Sequence, residues 1–303
     1  MESVLECLPP GSRAAILRLR SLGDCVLTTP ALDVLKRARP DLRLAVVVEP
    51  RFRAIFEGNP DVEEILEPEP RGLRAWGPRL SVNFHGGSRS AWLTAVSGAR
   101  YRAGFGHYRF QFLYNVRIPR AQEILGVERP VHTAEHLASA MFYLGAPRME
   151  IPRAKLAADG MQRGEGRPAA VIHPFASAPD KTWTTEGFLE VAEYLRGCGL
   201  DPVVVGGAAD DFGRFGGLRK VSGSLEEVKR LLAGASLFVG NDSGPAHMAA
   251  AFGLPVVVIF GASDRLAWGP WRTASEVVTA AGGITEVRPA QVIEALTRLR
   301  VHA

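Results

Sequence analysis

The sequence contains little cysteine and no long apolar run. Its three cysteines, Cys7, Cys25 and Cys198, are far apart and odd in number, which argues against a disulfide framework and a structural zinc site. No window reaches the roughly 18 uninterrupted apolar residues of a membrane span, and the first residues lack the pattern of a secretory signal. We therefore expect a cytoplasmic protein, or one that works at the cytoplasmic face of the membrane.

Four common functional motifs are also absent. No G-x-G-x-x-G follows the first apolar run, which disfavours an NAD-dependent dehydrogenase. The chain has neither the G-x-x-x-x-G-K-[ST] of a P-loop nor the G-x-S-x-G of a hydrolase elbow. His132 and His136 flank Glu135, but the segment HTAEH is not the H-E-x-x-H zinc motif. We expect no metal site.

Acidic residues are missing from one long stretch. The net charge is only +4, yet the segment from Arg71 to Arg120 contains nine arginines and no Asp or Glu. Scattered arginines are usually solvated surface charge. A block without compensating acids creates a positive field, which attracts an anionic partner.

Short apolar runs alternate with amphipathic stretches. Residues 14–19 read as a buried strand, 28–40 as the helix that follows it, and 42–49 as a second strand. The segment RFRAIFEGNP that begins at Arg51 reads as a second helix. Such alternation predicts parallel sheets covered by helices on both faces.

The alternation stops once and then restarts. Residues 148–167 are polar and weakly periodic, and an apolar strand pattern resumes at 169–175. With 303 residues, two domains are the natural expectation. We predict an α/β protein of two doubly wound domains, 1–155 and 156–303.

The turn after the first strand ends in a carboxylate. Ligands bind at the carboxyl ends of strands in open parallel sheets, so the strand–helix turns are the candidate sites. In the segment RSLGD, Asp24 lies near the start of a helix. Asp24 either caps that helix or acts as a general base in a cleft. Spacing alone favours the cap.

The turn after the first strand of the second half contains a rare lysine. The chain has only five lysines, and Lys181 precedes Trp183 in the segment SAPDKTW. Lys181 either binds phosphate as a point charge or is an exposed lysine beside a tryptophan that covers the core. The pattern does not decide between them.

A third turn, GNDSGPAH from Gly240 to His247, joins a strand to a helix. Pro245 suits the first helical turn, and the small residues Ser243 and Gly244 leave backbone amides free at the helix N-terminus. Such a terminus favours a diphosphate. The alternative is an ordinary helix start with a histidine packed in the core; we favour a binding role.

These turns resemble glycosyltransferase family 9, the bacterial lipopolysaccharide heptosyltransferases. The likeness extends from about residue 14 to residue 270. It includes ILRLRSLGDCVLTTPALDVLKRARPD, FHGGSRSAWLTAVSGARYRAGF, HPFASAPDKTWTTEGF and VGNDSGPAHMAAAFGLPVVVIFGASD. The last of these segments is long and specific.

The resemblance implies a GT-B fold, in which two Rossmann-like domains face each other across a cleft. The N-terminal domain would bind the acceptor and the C-terminal domain the nucleotide-sugar donor. It also implies inverting transfer without an essential metal or a further cofactor, with ADP-heptose as the usual donor. By matched position, Asp24 is the expected base, Lys181 contacts the donor phosphate, and the remaining donor-binding residues are Ser177, Asp242, Ser243, Gly244 and His247.

The acid-free stretch acquires a role from this resemblance. We predict that Arg100, Arg102 and Arg109 bind an anionic glycolipid acceptor, since guanidinium groups suit phosphate and carboxylate. Such an acceptor implies peripheral contact with the inner membrane surface and no nucleic-acid partner.

Two other functions remain open. A sugar-nucleotide epimerase of the GT-B fold would act on the sugar ring without a separate acceptor, and the basic stretch argues against it. A non-catalytic nucleotide-sugar-binding protein would keep the fold, but the presence of both Asp24 and Lys181 argues against lost catalysis.

Overall fold

The computed structural model describes residues 2–158 and 167–299. The chain divides into two compact units, Met1–Ala157 and Ala158–Ala303. The division falls inside the polar segment 148–167 that interrupts the strand–helix alternation. The part of that segment from 159 to 166 lies outside the described residues.

The first unit contains one parallel sheet of six strands. Its strands are β1 (Arg13–Leu17), β2 (Arg43–Val47), β3 (Glu64–Leu66), β4 (Leu80–Asn83), β5 (Tyr101–Phe105) and β6 (Val116–Ile118). They lie in the order β3-β2-β1-β4-β5-β6. The helices are α1 (Leu22–Ala38), α2 (Pro70–Trp76), α3 (Ser88–Val96), α4 (Ala121–Leu125) and α5 (Thr133–Leu144).

The second unit repeats this topology. Its strands are β7 (Ala169–His173), β8 (Asp201–Gly206), β9 (Arg219–Ser222), β10 (Leu237–Asn241), β11 (Val256–Ile259) and β12 (Ser275–Val278). They lie in the order β12-β11-β10-β7-β8-β9. If β7 is counted as the first strand of this unit, the order is that of the first sheet read from the opposite edge. The helices are α6 (Thr185–Gly197), α7 (Leu225–Gly234), α8 (Gly244–Phe252), α9 (Arg265–Trp268) and α10 (Pro289–Arg298).

The central strands form the core of each unit. In β1 and β10 nearly every residue is buried, as expected of strands covered on both faces. This is why continuous apolar runs, rather than alternating patterns, marked the strands in the sequence. Among the described residues, no helix combines the length and the apolar composition needed to cross a membrane.

Helix α1 begins six residues earlier than the sequence pattern predicts, at Leu22. It also continues through Pro30, which has no N–H to donate to the Val26 carbonyl one turn back. The Thr29 hydroxyl donates to that carbonyl at 2.8 Å instead. The early start places Gly23 and Asp24 in the first helical turn rather than in a loop.

The predicted helix at RFRAIFEGNP is wrong. The chain forms only a 3-10 helix over Pro50–Ile55, in which Ile55 is the one buried residue. The helix cannot continue past Gly58, whose φ of +74° lies in the left-handed region.

Candidate active site

Both units have a topological switch point at the centre of the sheet. The strand order reverses between β1 and β4 in the first unit and between β7 and β10 in the second. Ligands of doubly wound sheets bind outside the carboxyl ends of the strands at such points. Asp24 follows β1, Lys181 follows β7, and Asp242 and Ser243 follow β10. Each of these predicted site residues therefore lies beside a switch point.

Asp24 is held by two side chains and does not cap its helix. Arg18 Nη1 donates to Asp24 Oδ1 at 3.0 Å, and the Ser21 hydroxyl donates to Oδ2 at 2.9 Å. The Arg18 side chain is buried, with 7% exposed, whereas 22% of the Asp24 side chain is exposed. No backbone N–H of the described residues donates to this carboxylate, which excludes the capping interpretation. A carboxylate has about four lone-pair sites, so Asp24 can still accept a hydrogen bond from a ligand.

The turn after β4 forms one wall beside Asp24. Asn83 Oδ1 accepts the N–H groups of His85 at 2.9 Å and Gly86 at 3.0 Å, which fixes this turn. His85 Nδ1 lies 3.2 Å from the Arg20 carbonyl oxygen in the Asp24 loop. Burial and the nearby Arg18 charge lower the pKa of His85, so its imidazole is neutral at pH 7.

Gly86 brings this turn against a buried tyrosine. Its φ of +74° favours glycine, and a Cβ there would lie 2.9 Å from the Tyr108 ring. The Tyr108 hydroxyl donates to the Phe84 carbonyl at 3.0 Å, and burial raises its pKa to about 12. Tyr108 is therefore a packing residue that stays protonated at neutral pH.

A cavity of about 320 Å³ lies farther along the same sheet. The imidazoles of His107 and His136 face each other with ring centroids 5.5 Å apart, and neither has a hydrogen-bond partner among the described residues. Burial lowers the pKa of both, that of His136 to about 4 with help from His107 and Arg18. The cavity is lined by His107, Arg120, Gln122, Val131, Thr133 and His136.

Arg120 gives this cavity a positive charge. None of the ion pairs formed by the described residues includes Arg120. Its charge contributes to the lowered pKa of His107, and that of Arg18 to the lowered pKa of His136. The cavity therefore combines a guanidinium group that forms no ion pair with two neutral imidazoles.

In the second unit, Asn241 links the loops that follow β7 and β10. Its Nδ2 donates to the Pro174 carbonyl at 2.8 Å, and its Oδ1 accepts the Trp183 N–H at 3.1 Å. These bonds bring Lys181 near Asp242, with Nζ 3.7 Å from Oδ2. One-third of the Lys181 side chain is exposed, so its ammonium group remains accessible to a ligand.

Ser243 and the start of α8 form an anion-binding arrangement. The Ser243 hydroxyl lies 3.0 Å from Nδ1 of His173, and burial lowers the pKa of this histidine to about 4. The backbone N–H groups of Ser243 and Gly244 donate to no other described residue. The first N–H groups of a helix lack intrahelical acceptors and favour negative charge. Lys181 adds a full positive charge at the end of the adjacent strand.

Gly261 allows the lysine loop to lie close to the end of β11. A Cβ at this glycine would lie 1.9 Å from the carbonyl oxygen of Asp180, the residue before Lys181. Only glycine fits such an approach without moving the backbone. The sequence analysis missed this residue, although its position after a buried strand was visible.

The structure brings four of the six predicted donor residues together. Lys181, Asp242, Ser243 and Gly244 come together around the β7 and β10 ends. Ser177 is exposed in the loop before Lys181 and makes no hydrogen bond with a described residue. His247 is 5% exposed one turn into α8, and its ring centroid lies 6.3 Å from that of Trp268.

The predicted acceptor arginines occupy two different ends of the first sheet. Arg100 and Arg102 lie at the amino end of β5, where Arg102 donates to the carbonyls of Ala99 and Leu113. Arg109 follows the carboxyl end of β5. The same arginine-rich stretch ends in Arg120, which lines the cavity described above and which the sequence analysis did not select.

No group of three or more His, Cys, Asp or Glu side chains suited to a metal ion occurs within 2–158 and 167–299. Cys25, next to Asp24, is buried, and burial raises the pKa of its thiol. Such a thiol is a packing group rather than a nucleophile.

Two Rossmann-like units of this order, with an anion-binding helix start in the second, are the architecture of GT-B glycosyltransferases. The fold matches that of a glycosyltransferase family 9 structure from Veillonella parvula, with a TM-score of 0.84, 20% identity and coverage of 95% of this chain and 97% of that one. It also matches the Escherichia coli heptosyltransferase WaaC with ADP, with a TM-score of 0.80, 21% identity and coverage of 95% and 100%. The predicted GT-B fold is confirmed.

Sequence comparison gives the family. Lipopolysaccharide heptosyltransferase 3 of Escherichia coli is 26% identical over 288 residues, which cover 84% of this chain and 83% of that protein. Residues 73–292 match the model of glycosyltransferase family 9 (heptosyltransferase). The chain belongs to this family and is a glycosyltransferase, as the sequence motifs predicted.

Proposed function

We propose that this enzyme transfers a heptose from ADP-heptose to a lipopolysaccharide core-type acceptor, with inversion at the anomeric carbon. The observation that carries the proposal is the arrangement of Lys181, Ser243 and the free N–H groups at the start of α8. It offers one full positive charge and several hydrogen-bond donors to a diphosphate. The heptosyltransferase relatives support the choice of sugar.

The reaction that we propose is a direct displacement. Asp24 takes the proton of the acceptor hydroxyl, whose oxygen bonds to the anomeric carbon while the bond from that carbon to the ADP oxygen breaks. The diphosphate gains negative charge as it leaves, and Lys181 with the α8 N–H groups stabilises that charge. Arg18 and Ser21 orient the Asp24 carboxylate for the proton transfer.

We propose that transfer needs no divalent ion. In many phosphoryl and glycosyl transfers a metal ion neutralises the leaving diphosphate. Here a fixed ammonium group and helix N–H groups occupy that electrostatic role. Activity that survives EDTA supports this step, and activity restored only by an added divalent ion contradicts it.

The cavity lined by His107, Arg120 and His136 suits an acidic sugar of the acceptor. Arg120 can bind a carboxylate or phosphate, while the neutral imidazoles of His107 and His136 offer both donors and acceptors to hydroxyl groups. An acceptor of this kind is borne by a lipid, so we place the enzyme at the cytoplasmic face of the membrane. No nucleic-acid partner is proposed.

Arg100, Arg102 and Arg109 stay a prediction for acceptor binding. Reversal of all three charges to Glu is expected to raise the acceptor KM about tenfold or more while the donor KM stays unchanged. A matched Arg120→Gln variant tests the cavity by the same measurement. An unchanged acceptor KM in the triple variant contradicts the role of the three arginines, whereas an unchanged KM in Arg120→Gln contradicts the cavity.

The decisive test is a transfer assay with ADP-, UDP- and GDP-linked sugars and a short-chain core acceptor. We expect ADP-heptose to be the preferred donor and the product linkage to be inverted, as read from the anomeric coupling constants by NMR. Transfer from a UDP or GDP sugar would contradict the donor. Conversion of the donor sugar without an acceptor would favour the epimerase.

A further inference from the structure

Two of the large apolar side chains that the described residues expose lie on two elements of the first unit that pack against each other. Trp92 on α3 is 52% exposed, and Phe112 is 68% exposed in the 3-10 helix Gln111–Leu113, which packs against α3. The half-buried Phe110 has its ring centroid 6.4 Å from that of Phe112. The result is an aromatic patch of Trp92, Phe110 and Phe112 that has no cover within this unit's described residues.

Two arginines accompany the aromatic patch. Arg109 places its guanidinium carbon 5.5 Å from the Phe110 ring centroid and forms no ion pair with a described residue. Arg89 is exposed three residues before Trp92, on the same face of α3. Its partner Glu69, at 3.7 Å, precedes the acid-free stretch. Arg109 is therefore the arginine beside the patch whose charge no described carboxylate balances.

This chemistry fits an anionic lipid surface better than a protein partner. Protein interfaces bury their aromatic core with little charge at the centre, whereas aromatic side chains at the headgroup level, with arginines beside them, are typical of the membrane interface. We propose that Trp92 and Phe112 insert into the interface of an anionic bilayer while Arg89 and Arg109 contact its headgroups.

The position of the patch is consistent with this role. The turn after β4 contains His85, which contacts the Asp24 loop, and Gly86. Helix α3 begins two residues after Gly86. The helix that carries Trp92 therefore starts at the same edge of the sheet as the proposed base. This inference deepens the proposed function, because it specifies how a lipid-borne acceptor is approached.

The test is sedimentation with vesicles of phosphatidylcholine alone and of phosphatidylcholine mixed with phosphatidylglycerol. We expect the wild type to bind only the anionic vesicles. The double variant Trp92→Ser/Phe112→Ser should bind them about tenfold more weakly or worse, and Phe112→Asp alone should weaken binding if the double variant misfolds. Leu266→Ser is the matched control, because Leu266 is 58% exposed in the second unit.

The vesicle assay does not depend on sugar transfer. Its result therefore tests the membrane-binding inference separately from the proposed activity. Equal anionic-vesicle binding by wild type and both patch variants would overturn the inference. So would self-association of the wild type, seen by gel filtration, that the Phe112→Asp variant loses, because the patch would then serve a second copy of the chain. The rate of transfer to a water-soluble acceptor should be unchanged in Phe112→Asp. This result would show that the aromatic patch is not part of the catalytic site.

Discussion

The two units share one strand order but differ in what lies at their switch points. In the first unit the charged groups form a side-chain pair, Arg18 with Asp24, and a cavity farther along the sheet is lined by polar groups that have few protein partners. In the second unit Asn241 cross-links the loops, and the ligand-facing groups are backbone N–H groups and one lysine. A fixed backbone cradle suits a constant diphosphate, and a cavity with unsatisfied side chains suits a larger acceptor.

The largest expected effect is on the first unit's carboxylate. Asp24→Asn keeps the shape and the Ser21 contact but removes the base, so we expect transfer to slow about 10²- to 10⁴-fold. Because we propose that the second unit binds the donor, the donor Kd should stay unchanged. Steady-state kinetics with a parallel donor titration checks both. Equal losses in donor binding and in rate would break the division of roles between the units.

Acidification should weaken the folding of both units through one buried histidine each. Burial lowers the pKa of His136 and of His173 from 6.5 to about 4. Between these pH values the unfolded chain binds more protons, so the free energy of unfolding falls as the pH falls, by at most about 3 kcal/mol per histidine. Urea unfolding at pH 7 and pH 4.5 measures the slope. His136→Asn and His173→Asn should each flatten it, and an unchanged slope in both refutes this cause.

Loss of the lysine charge should slow transfer without affecting the first unit's base. Lys181→Met keeps the length of the side chain but removes the ammonium group that stabilises the leaving diphosphate. We expect kcat to fall about 100-fold, while the acceptor KM stays unchanged. If a higher acceptor concentration restored the rate, Lys181 would act in acceptor binding. That result would contradict the assignment of the two units to different substrates.

A smaller effect should follow from a single methyl group. In Gly261→Ala the new Cβ would meet the Asp180 carbonyl at 1.9 Å and displace the lysine loop. We expect the donor KM to rise about 10- to 100-fold, since small misplacements of binding groups cost this much. Gly216→Ala is the control, because nothing lies within 4 Å of a Cβ at that glycine. Equal donor KM values in the two variants would mean that the close approach is not needed.

Buried central strands could be predicted from the sequence because their apolar runs are continuous. The predicted strand at 14–19 corresponds to β1, and that at 169–175 to β7, with ends shifted by up to two residues. The edge strands β6 and β9 were missed because they are short and carry charged residues such as Arg117 and Lys220. The predicted turns identified the strand ends, which fixed where the site had to lie.

The partners of the site residues could not be predicted in the same way. Asn241 bonds to Trp183 across 58 positions of sequence, and Ser243 contacts His173 across 70. Such pairs depend on which strands become neighbours at the switch point, and the strand order is a property of the whole sheet. Arg18 was overlooked for a different reason, since a buried arginine at the end of an apolar strand shows no spacing motif.

The most direct test of the donor site is calorimetric titration of ADP into the wild type, Asp24→Asn and Lys181→Met, with EDTA present throughout. The account predicts ADP binding in preference to UDP and GDP, equal affinity in the wild type and Asp24→Asn, and an affinity about tenfold lower or worse in Lys181→Met. Equal ADP affinity in Lys181→Met and wild type, or loss of ADP binding in Asp24→Asn alone, would contradict the assignment of the donor to the second unit.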